Sequence, residues 1–159
     1  MTSRSVCSTL VLLILLVPAA VAGTDQVTGS SAPGVYLLVE VNGEAPPSVS
    51  GTKTSEGRIC ESEALAGAIL LGSDGGMAAL VTEREICTDP DGSQTTSGEK
   101  SEIFFGSYEL SSETLILHWE TPDLGDDEVS LTDGVLVITD VGEFDYEGQT
   151  TEWVLQKAD

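Results

Sequence analysis

Basic residues are scarce in this chain: six lysines and arginines stand against 27 aspartates and glutamates, for a formal charge of −21. A field of that sign repels nucleic acid and anionic membrane, which excludes nucleic-acid binding as a primary role. Histidine is scarcer still, with His118 alone. Nucleophilic catalysis needs an oriented nucleophile beside its base, and the chain offers neither a Gly-x-Ser-x-Gly motif nor a cysteine nucleophile. One nitrogen donor and a pair of cysteines make a poor zinc set. After residue 22 no apolar run approaches the roughly 20 residues of a membrane span, and no apolar spacing of helical period survives.

What is present begins with a leader. Arg4, the apolar run from Val11 to Val17, Pro18 and the small residues Ala19 to Gly23 have the layout of a secretory signal with an A-x-A cleavage site. The expectation is a cleaved signal peptide over residues 1–22, a polar lead-in over 23–33 and a single β domain over 34–159. Cleavage removes Arg4 and no acidic residue, so the mature chain is one unit more negative than −21. Cys7 leaves with the leader, and no cysteine follows the cleavage site to accept lipid. Cys60 and Cys87 remain for an oxidising compartment, secreted or periplasmic, where a disulfide is the natural reading. Free thiols are the alternative.

Short apolar runs and period-two alternation recur, broken by Gly, Asp, Ser and Thr, which reads as an all-β chain. Strands are expected near residues 35–41, 59–71, 77–87, 103–110, 114–120, 129–131, 135–139, 144–146 and 151–155. Between them lie a long polar loop from Gly43 to Gly57, broken by Pro46 and Pro47, and an acidic loop from Asp123 to Glu128. Gly72-Ser73-Asp74-Gly75 supplies hairpin chemistry. A two-residue turn at Ser73-Asp74 puts Cys60 directly opposite Cys87. A type I turn with a glycine bulge instead puts them on opposite faces, unless a second bulge corrects the strand. An antiparallel up-and-down meander of eight or nine strands commonly closes into a small β-barrel, because closure removes exposed edges. A two-sheet sandwich is the runner-up.

Three stretches carry a family resemblance: Gly34-Val35-Tyr36-Leu37-Leu38 running into Val41-Asn42-Gly43, Gly67 to Leu71 before Asp74-Gly75, and Gly106 to Leu110 before Leu115-Ile116-Leu117. Together they resemble the bacterial lipocalin-like secreted proteins. The resemblance implies a calycin-type barrel, and its members are largely without assigned activity. True lipocalins open on Gly-x-Trp with an arginine packed over the indole. Here the motif is Gly34-Val35-Tyr36, and no residue near the C-terminus stands out as that basic partner.

Candidate chemistry is sparse. His118 alternates with Leu117 and Trp119 and is expected to point outward. Asp89-Pro90-Asp91-Gly92-Ser93 resembles part of a calcium loop but lacks the third acidic position and terminal glutamate of an EF-hand. Asp126-Asp127-Glu128 offers oxygens without a frame. No cofactor is implied. An eight-stranded barrel is near the size at which its lumen is filled by side chains or holds one small ligand. Tyr36, Tyr108, Trp119 and Trp153 are the expected lining, with hydroxyl and indole groups able to orient a ligand. Both indoles should face inward with Leu115, Leu117 and Leu155. The expected function is non-enzymatic: a small apolar ligand in the barrel or a protein partner at its rim. The alternative is a structural or assembly role in the envelope or outside the cell.

Overall fold

The computed structural model describes residues 32–111, 114–121, 124–141 and 149–159. The leader with its cleavage site, nearly all of the lead-in, Ser112, Asp123 and the strand expected at 144–146 lie outside the described residues.

The described residues form ten strands: β1 (Gly34–Val41), β2 (Ser48–Ser55), β3 (Arg58–Leu71), β4 (Gly76–Thr88), β5 (Gln94–Thr96), β6 (Lys100–Ser111), β7 (Thr114–Trp119), β8 (Asp126–Thr132), β9 (Val135–Val141) and β10 (Thr150–Lys157). No helix occurs among the described residues. Each strand pairs antiparallel with its neighbours, and β1 pairs with both β3 and β10. The sheet therefore closes through β3, β4, β6, β7, β8, β9 and β10 into an eight-stranded barrel. Closure satisfies every ladder edge of the ring, which a sandwich would leave open.

The closed ring has the eight strands expected, and two additional strands lie outside it. β2 lies in the expected Gly43–Gly57 loop and β5 in the polar connection after Thr88. Pro46 and Pro47 sit before Ser48, so they bar a strand only where the chain turns. β1 and β2 both run along one edge of β3, β1 against Ala68–Leu71 and β2 against Arg58–Ala64. They act as one long strand broken by an excursion over residues 42–47. The meander is accordingly not strictly sequential. Where β2 meets the start of β10, side chains replace the ladder: the Gln149 carboxamide accepts from Thr52 N–H at 2.9 Å and donates to the Thr52 carbonyl, while Thr151 Oγ1 donates to the Ser50 carbonyl at 2.6 Å. Asp126–Glu128 also correct the sequence expectation: they are not loop but the first residues of β8, paired with Ile116–His118.

The β3–β4 hairpin settles the register question. Gly72 N–H donates to the Gly76 carbonyl at 2.8 Å and Gly75, at φ 85°, donates to the Gly72 carbonyl at 3.2 Å. This is the three-residue loop in which a left-handed glycine forms a bulge, and it pairs Leu71 with Met77. Leu65 then forms the second bulge, between Ala64 and Ala66, and shifts the register by one. Beyond it Cys60 faces Cys87, Cα to Cα 4.0 Å, and the two are joined as a disulfide. That bond fits an oxidising compartment. Similar one-residue shifts at Val39 and Ser50 bend β1 and β2 around the same corner.

Toward the barrel end that carries the β3–β4 turn, here the lower end, the lumen is packed. Tyr36, Leu71, Leu115, Leu117 and Leu136 are fully buried, with Met77 and Leu131 beside them. Each such side chain contributes about 1.5 to 3 kcal/mol by leaving water. Tyr36 Oη donates to the carbonyl of buried Ala32 at 2.7 Å, which ties the incoming chain across this end. Lys157 Nζ lies 5.8 Å from the Tyr36 ring centroid, a cation–π distance. The basic partner that did not stand out in the sequence is thus supplied by β10. Gly34 makes room for it, since a Cβ there would come within 2.5 Å of Lys157 Cε.

Candidate ligand-binding cavity

Above the packed layer the inward positions become small or widely spaced. Gly67 of β3 and Ala79 of β4 leave room where larger side chains would meet across the barrel, and a cavity of about 340 Å³ opens toward the upper end. Leu38, Ile69, Ile138 and Leu155 form its aliphatic walls. Phe104 of β6 and Trp119 of β7 meet edge to face, centroids 6.2 Å apart at 77°, the geometry their ring quadrupoles prefer. Trp153 stands three strands further round on β10. Strand alternation explains the placement: Trp119 continues the inward row of Leu115 and Leu117, and Trp153 that of Leu155.

Polar groups collect only at the mouth, where Glu83, Lys100, Glu102, Asp127 and Asp140 join the lining. Asp127 Oδ2 accepts the Trp119 indole N–H at 2.7 Å, fixing both carboxylate and ring. Glu83 accepts from the Ser50 hydroxyl at 3.0 Å. Lys100 pairs with Glu102, and that contact, with Glu83 nearby, holds its ammonium above the usual lysine value. The pair is solvent-exposed, so its contribution to stability is small.

Of the four residues expected to line the lumen, Trp119 and Trp153 stand in the cavity wall. Tyr36 and Tyr108 do not. Tyr36 is sealed in the lower core, and Tyr108 donates to the Gly72 carbonyl at 2.6 Å, clamping the hairpin turn. Burial raises both phenols above their ordinary value, with the Asp74 carboxylate adding to the effect at Tyr108. Phe104, Gly67, Ala79 and, Asp127 apart, the mouth residues are not singled out as lining by the sequence. The one signal for the last was the run of charged residues in β4 and the start of β6, where apolar alternation fails.

The other candidates resolve into structure. His118 lies on the outer wall, Nδ1 2.9 Å from Asp126 Oδ1, while its Nε2 is buried with no hydrogen-bond partner among the described residues. Asp91 accepts the Ser93 backbone N–H at 2.9 Å, and Asp89 and Ser93 close a tight turn around Gly92. Hydrogen bonding by the Ser93 hydroxyl, and then by the Ser93 backbone N–H, lowers the Asp91 carboxyl below its ordinary value. Glu85 approaches Cys60 and Cys87, but sulfurs consumed in a disulfide are not thiolate ligands.

Fold and cavity together define a small closed antiparallel β-barrel with an apolar lumen open at one end. No family model matches the chain, and no curated sequence and no solved structure matches it significantly.

Proposed function

We propose that the mature chain is an exported, non-enzymatic binding protein that holds one small apolar molecule in its barrel. The observation that carries this reading is the 340 Å³ cavity walled by aliphatic side chains and two indoles, within the range of sites that enclose small ligands. The lipocalin-like resemblance supports it by analogy of fold, and fold alone does not assign a ligand.

A hydrophobic probe entering the cavity must contact Trp119 or Trp153. Titration with the neutral probe N-phenyl-1-naphthylamine should therefore change tryptophan emission saturably, with a micromolar midpoint, about −8 kcal/mol. Ala79→Leu should abolish the response by filling the space, and Trp153→Ala should weaken it. A flat titration with wild-type protein, together with an unmoved melting temperature, rejects the reading.

One observation favours a second reading, an assembly role. Across β1, β3, β4 and β6 the outer wall carries two rows of paired residues, Val35, Leu70, Ala78 and Phe105, then Leu37, Ala68, Leu80 and Ile103. None is charged, and Ile103 and Phe105 are 61% and 55% exposed. A contiguous apolar strip on so acidic a molecule is the kind of surface that partners cover. Self-association of the ligand-free protein in sedimentation, coupled with a flat titration, is the outcome that selects it.

A further inference from the structure

We infer that the cavity takes a cationic amphiphile, a molecule with a compact apolar body and one ammonium group that ends at the mouth. This rests on the cavity-binding reading and adds the charge of the ligand to it.

Polarity in the cavity is graded along the barrel axis. Its depth is lined by aliphatic side chains and by the Phe104–Trp119 pair, while four carboxylates and one lysine ring the opening. The carboxylates of Glu83 and Asp127 are oriented by neutral donors, the Ser50 hydroxyl and the Trp119 indole N–H. Such bonds fix a negative charge in place without cancelling it. Lys100 is matched by Glu102, so Glu83 and Asp127 leave the opening an excess of negative charge. Indole rings in the cavity wall can attract cations as well as apolar groups. A chain of formal charge −21 adds a long-range field of the same sign, and low-dielectric barrel walls focus such a field. An anionic ligand would place its head against like charges, and a neutral one would leave the opening unused.

A bare metal ion is not what this mouth gathers. Among the described residues no three of the mouth carboxylates bring oxygens within 4.8 Å of one another, whereas a hard cation needs six or more oxygens around it. Carboxylates spread round an opening suit an ammonium carried on an organic body.

The test is competition against N-phenyl-1-naphthylamine by three ligands of one shape: 2-(1-naphthyl)ethylamine, 2-(1-naphthyl)ethanol and 1-naphthylacetate. At low ionic strength the amine should displace the probe at least tenfold more tightly than the alcohol, with the carboxylate weakest. Raising salt to 0.5 M should shrink that ratio, since exposed charges are screened within a few ångströms. The double variant Glu83→Gln, Asp127→Asn should reduce the amine-to-alcohol ratio several-fold. Circular dichroism of the variant, matching wild type, separates loss of charge from loss of fold, and Lys100→Gln, which should raise the ratio, gives an independent variant of opposite sign. Equal affinity for amine and alcohol overturns the inference and leaves the cavity reading standing. Failure of all three ligands and of the probe itself overturns both.

Discussion

Tyr36→Ala is expected to cost about 3 to 5 kcal/mol of folding free energy, the usual loss on truncating a buried aromatic side chain. Tyr36 is fully buried in the packed lower layer, so its truncation leaves a hole among side chains that are themselves buried. The substitution also removes the donor to Ala32 and the ring beneath Lys157, so the incoming chain loses its tie to the barrel end. Tyr36→Phe separates these effects, because it keeps the ring and gives up one hydrogen bond worth about 1 kcal/mol. It should also flatten the alkaline limb of stability. A phenol raised above its unfolded value stabilises fully below about pH 10. As pH climbs past that point the unfolded chain releases a proton that the native chain still holds, so unfolding is favoured. Urea midpoints between pH 7 and 11 check both statements. Equal midpoints for wild type and Tyr36→Ala would show that the lower layer is not packed as described.

The second large effect belongs to the disulfide. Cys60 and Cys87 are 27 positions apart, for which the loop-entropy estimate gives about 3.5 kcal/mol. Cys60→Ala with Cys87→Ala, which leaves no thiol in the β domain, should lower stability by an amount of that order. The loss should be uneven. The bond joins β3 and β4 at their upper ends, where β2 and β5 flank them rather than ring strands. Hydrogen exchange should quicken first there and last at the paired positions near Leu71 and Met77. A uniform gain of exchange across the barrel would contradict this placement, and alkylation of Cys60 and Cys87 in the unreduced, unfolded protein would deny the bond altogether.

Strand alternation made much of this fold legible, and its limits explain the rest. Leu115, Leu117 and Trp119 announce an inward row, and the structure buries or half-buries all three. Alternation gives the face of a strand but not the height along the barrel axis. That is why alternation alone groups Tyr36 and Tyr108 with the two indoles although they belong to the other end. The cavity itself depends on small residues, Gly67 and Ala79, meeting across strands, which no local pattern records. β2 was illegible for a different reason. Ser48 to Ser55 carries almost no apolar signal, and its other edge is completed by Gln149 and Thr151, about a hundred residues away. Lys157 became a partner for Tyr36 only once β1 and β10 were known to pair.

The correction made at Leu65 bears on which lengths of β3 the fold tolerates. Ala64 pairs with Glu83 and Ala66 with Thr82, so Leu65 has no opposite number. Removing that one codon leaves every cross-strand pair on both sides intact, with Cys60 still facing Cys87 and Ile69 still facing Ala79. Dropping a residue two places to either side, or adding one, transfers a stretch of strand to the wrong face until a compensating slip occurs. Among related sequences, indels in this hairpin should therefore be found at Leu65 and in the turn, and elsewhere only as matched pairs.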